Sequence, residues 1–251
     1  MAKGYRDRLY STYAQSHFAH VRDTSASGLE ADRQRWAPII RRYFPQDREC
    51  AILDIGCGYG SLIYALRHEG YTCASRIDIS ADQVTLAHHL GIPNVAQSSI
   101  QDYLGPRHEE YDVIAAFDVF EHLTKDELLA YGELVYQALR PGGRLIFRAP
   151  NADGPFAGRL LCGDLTHELA FTRTSVEQLL RSVNFDRVAV FPTNPYPHGI
   201  VSCLRALIWQ LTRAVLTIVV AAETGQLRGH ILTQNLIAVG FKSREPVLQT
   251  G

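Results

Sequence analysis

The chain has few lysines, almost no net charge and no closely spaced pair of cysteines. Only three of its 25 basic residues are lysine, and 26 acidic residues leave a net charge of −1. Because nucleic-acid-binding proteins usually carry a basic excess, we expect no nucleic-acid partner. The five cysteines form no CxxC motif and are odd in number, which predicts reduced thiols and a cytoplasmic location.

Long uninterrupted hydrophobic runs are also missing. The most apolar segment, 202–222, carries Arg205 and Arg213, and its longest uncharged run, 214–222, is shorter than the ~20 residues that a bilayer-spanning helix needs. The charged N-terminus has no apolar core and does not resemble a secretory signal. Segment 202–222 therefore predicts a pocket lid, a homodimer interface, or a helix lying peripherally on the inner face of a membrane.

Apolar and helix-period segments alternate along most of the chain, and this pattern predicts its fold class. With 46% hydrophobic and 20% charged residues, the chain can form a core and is not disordered. The alternation predicts an α/β fold with a mostly parallel seven-stranded sheet and helices on both faces. We expect an N-terminal helical cap or lid at 1–45 and one domain at 46–251, with a helical insertion at 192–230. The predicted strands are 50–55, 71–79, 94–97, 111–117, 143–149, 187–191 and 231–241, and the predicted helices are 5–20, 29–43, 59–68, 81–90, 126–139, 174–183 and 202–222.

The segment from Ala51 to Gly60 reads as a buried strand that runs into a glycine turn and then a helix. Glycine at alternate positions lets the backbone turn tightly and approach a ligand. The dinucleotide pattern GxGxxG would need glycine at 61, where the chain has Ser61. Asp54 lies two residues before the first glycine, where a carboxylate can face a cationic or amine-bearing ligand.

The letters of this segment, D-I-G-C-G-Y-G at 54–60, resemble the cofactor loop of class I S-adenosylmethionine-dependent methyltransferases, which have a Rossmann-like fold. Further segments resemble that family in the same order: R-I-D-I-S at 76–80, Y-D-V-I at 111–114 and L-R-P-G-G-R at 139–144. The resemblance implies S-adenosylmethionine as the cofactor, with Asp78 accepting bonds from both ribose hydroxyls. The cofactor-binding residues that it implies are Asp54, Gly56, Cys57, Gly58, Gly60, Asp78, Ile79, Ser99, Ile100, Phe117 and Asp118. At Ser99 the chain departs from the family, which often has aspartate there.

Polar side chains that can perform chemistry follow the predicted strand 111–117. Ligands of open α/β sheets bind at the carboxyl ends of the strands, so these side chains should border the reacting group. On one helical turn, Asp118, Glu121 and His122 would point roughly the same way. Two carboxylates and an imidazole are a plausible set of ligands for a divalent cation.

The pattern D-x-x-E-H at 118–122 resembles E-x-x-E-H of metal-dependent O-methyltransferases. One kind methylates the terminal ribose 2′-hydroxyl of small RNAs, and the other methylates catechol oxygens in ubiquinone synthesis. Segment 164–173 resembles the part of the RNA enzymes that supplies a further histidine, here His167. The resemblance implies Mg²⁺ or Mn²⁺ bound by Asp118, Glu121, His122 and His167, although Asp118 is shorter than the family's glutamate. Two other readings stay open: metal-free catalysis with His167 or His122 as the general base, and a structural role for the Glu-His pair. The catalytic candidates are thus His167, His122 and Glu121.

Together these features predict an S-adenosylmethionine-dependent O-methyltransferase. The first expected acceptor is a hydroxyl of a sugar, glycan or glycosylated small molecule, which the D-x-x-E-H pattern with His167, the near-zero net charge and the apolar insertion favour. The opening Y-R-D-R-L-Y at 5–10 and the late segment T-Q-N-L at 233–236 also resemble methyltransferases of surface-polysaccharide gene clusters. The alternative is a quinone precursor or another small aromatic. Methylation of RNA is disfavoured because the chain has no excess of basic charge. A binding protein with a methyltransferase fold but no activity is disfavoured because Asp54, the glycine loop and Asp78 are all present.

Overall fold

A computed structural model describes residues 5, 9, 24–195, 197 and 199–244 of the 251-residue chain. Its seven strands form one sheet in the order β3-β2-β1-β4-β5-β7-β6. The strands are β1 (Ile52–Ile55), β2 (Ala74–Asp78), β3 (Ala96–Gln97), β4 (Tyr111–Phe117), β5 (Leu139–Pro150), β6 (Arg187–Pro192) and β7 (Asn235–Phe241).

Helices connect the strands. The helices of the described residues are α1 (Ala26–Tyr43), α2 (Ser61–His68), α3 (Ala81–His89), α4 (Ile100–Leu104), α5 (Lys125–Ala138), α6 (Ala157–Leu161), α7 (Arg173–Ser182) and α8 (Ile200–Thr224). A short 3₁₀ turn, Phe120–His122, follows β4. The segment that forms α8 is the one predicted at 202–222.

The sheet is mostly parallel, as the sequence predicts. Strands β1 to β5 pair in parallel, whereas β7 lies antiparallel between β5 and β6. The chain leaves β1 toward β2 and β3 and then returns to β4 on the other side of β1. This reversal opens a crevice at the carboxyl ends of β1 and β4, which is where ligands of such sheets bind.

Alternation along the central strands explains why helices cover both faces. Ile52 and Val113 belong to one buried cluster and their neighbours Leu53 and Ile114 to the other. All four side chains are fully buried, and this burial on two sides is what apolar runs in parallel strands require. The carboxyl ends of the strands are thereby held on a rigid platform.

Several boundaries differ from the predictions. Strand β5 begins at Leu139 rather than at 143, and β7 begins at Asn235 rather than at 231. The first residues of the predicted last strand instead form a buried connection that Asn151 holds, because its side-chain amide donates to the carbonyls of Ile231 and Thr233 at 2.6 and 2.8 Å. Helices α4 and α6 span five residues each and were not predicted. Most of the predicted helix 5–20, and His198 in the connector to α8, lie outside the described residues.

Candidate functional site

The turn after β1 requires glycine at two positions for two separate reasons. Gly56 and Gly60 have φ angles of +65° and +85°, in the left-handed region that favours glycine. A Cβ atom would lie 2.5 Å from Val119 Cγ2 at the first position and 2.7 Å from Ile92 Cδ1 at the second. The loop therefore passes so close to its neighbours that only bare backbone fits.

Asp54, at the end of this strand, is a buried carboxyl group with an unfilled hydrogen-bonding capacity. Its side chain is 2% exposed, and among the described residues Oδ2 has no hydrogen-bond partner. Burial, and then the charge of Asp78, raises the pKa of Asp54 well above its ordinary value. A buried acceptor atom beside a glycine turn fits a ligand that brings a positive charge or an N–H group.

Asp78 closes the loop from the neighbouring strand. Its Oδ2 accepts from the backbone N–H of Gly58 at 2.7 Å, and its Oδ1 accepts from that of Ser80 at 2.8 Å. Each carboxylate oxygen keeps a second lone pair, so both can still accept from a diol. Next to it, the side chain of Ile79 is 69% exposed, an apolar surface on which a flat ring can pack. These contacts support a nucleoside-binding edge at the end of β2.

The remaining residues predicted to bind cofactor have packing or capping roles. Cys57 and Phe117 are each 8% exposed, and burial raises the pKa of the Cys57 thiol. Ser99 caps helix α4, because its hydroxyl accepts from the backbone N–H of Asp102 at 3.0 Å and donates to that residue's carboxylate at 2.7 Å. Ile100 is the first residue of that helix and is partly buried. Their contact with cofactor stays a prediction.

Helix α1 is fixed against the glycine turn. The indole N–H of Trp36 donates to the Ser61 hydroxyl at 3.0 Å, and the Tyr59 hydroxyl donates to the buried carboxylate of Asp32. The Trp36 ring also contacts Phe117 edge-on, with centroids 4.8 Å apart. The helix therefore supports the cofactor loop and the end of β4 at the same time.

Asp118 is placed differently from the arrangement expected for a metal ligand. It does not share a helical turn with Glu121 and His122, because its φ angle of +58° is left-handed and the 3₁₀ turn begins only at Phe120. Both oxygens of its carboxylate pair with the Arg148 guanidinium, one of them at 2.8 Å from Nε. Although burial alone lowers the pKa of Arg148, Asp118 raises it above its ordinary value. In the described residues Asp118 is thus paired with a partly buried cation.

Glu121, His122 and His167 do come together. One ligand atom from each lies within 4.8 Å of the others, and the two imidazole centroids are also 4.8 Å apart. Glu121 is 2% exposed, and its Oε2 has no hydrogen-bond partner among the described residues. Burial, and then the charge of Asp118, raises the pKa of Glu121 well above its usual range. Chain segments separated by 44 residues therefore form one compact polar group.

Hydrogen bonds fix the tautomers of both histidines. Nδ1 of His167 lies 3.0 Å from the carbonyl of Leu160, which can only accept, so the proton is assigned to Nδ1. Nδ1 of His122 lies 2.9 Å from the Thr166 hydroxyl, which itself donates to the Asp164 carboxylate at 2.6 Å. The hydroxyl therefore accepts from His122, and in both neutral rings Nε2 is the basic nitrogen. Burial lowers the pKa of His122 and favours this neutral form.

The donor set fits a divalent cation. A carboxylate and two neutral imidazoles form the facial arrangement that transition metals accept, and the partnerless Glu121 Oε2 is an acceptor that such an ion would satisfy. Of Mg²⁺ and Mn²⁺, the second tolerates imidazole nitrogen better, since Mg²⁺ prefers oxygen. Without an ion, either Nε2 can accept a proton from an acceptor hydroxyl.

Some functional contacts were not predicted from the sequence. Arg148 is the one charged residue in the apolar run L-I-F-R-A-P at 145–150, which signals that an oppositely charged partner lies near it. The hydroxyl of Tyr5 donates to the carboxylate of Glu168, the residue after His167. Of the predicted N-terminal cap at 1–45, the structure describes Tyr5, Leu9 and residues 24–45.

Comparison with known proteins agrees with this geometry. The sequence model of a family described as "Methyltransferase domain" matches residues 29–190. A ubiquinone biosynthesis O-methyltransferase of Klebsiella pneumoniae is 28% identical over 108 residues, which cover 41% of this chain and 43% of that protein. The chain therefore spans less than half the length of the curated relatives that it matches.

Two solved structures share the fold at low sequence identity. A SAM-dependent methyltransferase from Archaeoglobus fulgidus superposes with a TM-score of 0.64 at 18% identity, covering 95% of this chain and 100% of that one. Phosphoethanolamine N-methyltransferase 2 of Haemonchus contortus, in complex with S-adenosyl-L-methionine, superposes with a TM-score of 0.63 at 15% identity. The match covers 96% of this chain and 60% of that one. With the family match over most of the chain, the chain belongs to the class I S-adenosylmethionine-dependent methyltransferases.

Proposed function

We propose that this methyltransferase transfers the methyl group to one hydroxyl of a pair of neighbouring hydroxyls. The observation that carries the proposal is the group of Glu121, His122 and His167 beside the carboxyl end of β4. A hydroxyl is a poor nucleophile until it loses its proton, so an oxygen acceptor needs a base or a Lewis acid at this place. The histidine pair supports both roles.

The protein's own residues would position the reactants and accept the proton. Asp54 and the glycine turn face the amine-bearing end of the cofactor, Asp78 faces its ribose, and Ile79 offers an apolar surface to its ring. S-adenosylmethionine supplies a sulfonium methyl group that an aligned nucleophile attacks in line. The Nε2 atom of His122 or His167 would take the hydroxyl proton, because each Nδ1 already holds a proton toward its hydrogen-bond acceptor.

A divalent cation is the second part of the proposal. Glu121, His122 and His167 would hold it, and Asp118 would join only if its carboxylate left Arg148. When bound, such an ion lowers the pKa of the hydroxyl that it binds. Two neighbouring oxygens would each reach a position that these three ligands leave open, which is why a diol suits the site.

An aromatic diol of the quinone-precursor kind is the acceptor class that we favour. The curated relative described above is a ubiquinone biosynthesis O-methyltransferase, although the match covers 43% of its length. None of the relatives above is named for a glycan acceptor, so the sugar acceptor expected first has no support beyond the sequence. A cytoplasmic location likewise stays a prediction.

Methyl transfer to matched acceptors tests the proposal. We expect turnover of a catechol, at least tenfold slower turnover of the corresponding phenol, and inhibition by EDTA that Mn²⁺ reverses. Faster turnover of a sugar diol than of the catechol would contradict the aromatic acceptor and support a glycan acceptor. Equal rates on the catechol and the phenol would contradict the diol requirement, and undiminished turnover in EDTA would contradict the metal.

A further inference from the structure

Helix α8 exposes a continuous aliphatic face to solvent. Among the described residues it is the one helix that is long and apolar enough to cross a membrane by length and composition, and none of its most apolar window is buried. Its nine large aliphatic side chains that are more than half exposed are Ile200, Val201, Leu204, Leu207, Ile208, Leu211, Val215, Ile218 and Val219. At ~100° per residue they fall within an arc of roughly 120°.

The centre of this face has the spacing of a helix-pairing seam. Apolar residues alternate at intervals of four and three, the spacing by which one helix packs lengthwise on another. The seam residues are Leu204, Ile208, Leu211, Val215, Ile218 and Ala222, all of them exposed. Arg213, one of the two arginines of α8, lies on the opposite side of the helix and is partly buried there.

The seam is complementary to itself when it runs antiparallel. In an antiparallel pair, a two-fold axis at the level of Arg213 brings residues at equal distances before and after Arg213 to the same level. Leu204 then lies opposite Ala222, Ile208 opposite Ile218, and Leu211 opposite Val215. Apolar side chains therefore meet apolar side chains along the whole seam, which lets the two helix surfaces interdigitate.

The charges at the rim of the face agree with the same axis. Arg205 and Glu223 are 18 residues apart, which is five helical turns, so they lie on the same side of α8, and both are exposed. The two-fold axis places the rims of both helices on the same side of the helix pair, and the two rims run in opposite directions. Arg205 of each copy therefore lies within about 3 Å, along the helix axis, of the level of Glu223 in the other copy. Both side chains are long enough to bridge that offset, so two equivalent ion pairs form.

The size of the face also suits a second copy of the chain. Nine aliphatic side chains exposed to this extent present on the order of 1,000 Å², well above the few hundred Å² that monomers usually leave in one patch. Two copies would bury about 2,000 Å², the size of a stable homodimer interface. A helix that docks on lipid usually adds aromatic rings and lysines, whereas this face has neither and the whole chain carries a net charge of −1.

We propose that α8 pairs with α8 of a second copy in an antiparallel homodimer, with the seam residues at its centre and Arg205 and Glu223 at its rim. The seam provides the apolar contact area and the two ion pairs select the antiparallel direction. The inference rests on the helix surface and is independent of the acceptor.

Sedimentation equilibrium of the full chain over a dilution series tests the pairing. The expected mass is twice the 28.0 kDa of one chain. Leu204→Glu with Leu211→Glu should give monomers with unchanged cofactor affinity. Leu129→Glu, at a residue of α5 that is 42% exposed, is the matched control and should stay dimeric.

Charge reversal tests the direction of pairing. Arg205→Glu alone and Glu223→Arg alone should each raise the dimer dissociation constant about tenfold, and the double reversal should restore it to within about threefold. A wild-type monomer at every concentration, or a dimer that survives the paired leucine changes, would overturn the proposal. A double-reversal variant whose dimer dissociation constant is no lower than those of the single variants would also overturn it. Monomers that float with phosphatidylcholine–phosphatidylglycerol vesicles would assign the face to lipid instead.

Discussion

Asp54 shows how a residue prepared for a ligand destabilises the protein without it. Its carboxyl group is 2% exposed, and burial with the charge of Asp78 raises its pKa. The folded chain then binds this proton more tightly than the unfolded chain. The protonated Asp54 adds to the free energy of unfolding. This contribution is fully present below the pKa of ~3.9 in the unfolded chain and is lost as the pH rises through the raised pKa of the folded chain.

Asp54→Asn should therefore stabilise the cofactor-free protein at neutral pH while weakening cofactor binding. We expect the melting temperature to rise by roughly 2–6 °C at pH 7.5, and this difference should shrink as the pH falls toward 4. The dissociation constant for S-adenosylmethionine should rise at least tenfold. Thermal melting across pH and calorimetric titration measure both effects, with the exposed Asp186→Asn as control. A lower melting temperature for Asp54→Asn at every pH would contradict the pKa direction.

The loop between α6 and α7 is the element that assembles the histidine pair. The backbone N–H groups of Glu168 and Leu169 both donate to the carbonyl of Glu121, at 2.8 and 3.0 Å. Thr166 in the same loop connects the Nδ1 of His122 to the Asp164 carboxylate. The loop therefore holds His167 in place and also sets which nitrogen of His122 is basic.

Thr166→Val should lower kcat by about 10–100-fold, because it removes the hydroxyl that orients His122. Cofactor affinity should not change, since the side-chain hydrogen bonds of Thr166 join it to His122 and Asp164 and not to the glycine turn. Thr166→Ser keeps the hydroxyl and should retain most of the activity. Steady-state kinetics with calorimetry separates the two quantities. Wild-type kcat in the valine variant, or an equal loss in the serine variant, would show that the hydroxyl has no such role.

Elements with strong periodicity could be predicted from the sequence, and contacts between distant residues could not. The buried strand at 111–117 and the glycine turn after β1 are local patterns, and the structure has both. Helices α4 and α6 are too short for a helical period to show. The ion pair of Asp118 joins residues 30 apart, so the sequence could offer its carboxylate to a metal but could not show Arg148 beside it.

At the scale of the whole molecule, the fold separates two tasks. In the proposed mechanism, Asp54 and Asp78 at the carboxyl ends of β1 and β2 bind the cofactor, and the histidine group at the end of β4 binds the acceptor. Both sets lie at one edge of a sheet that is buried on both faces. Helix α8 leaves this edge as an insertion before β7 and presents its apolar face outward.

The central claim is that the Glu121, His122 and His167 group activates the acceptor hydroxyl. The most direct measurement is the turnover number of His167→Ala on the best diol acceptor, with cofactor affinity measured on the same sample. We predict at least a 100-fold loss of kcat, because general-base catalysis contributes about 10²–10⁴-fold, with an unchanged dissociation constant for S-adenosylmethionine. A variant that methylates the diol at the wild-type rate would contradict the claim.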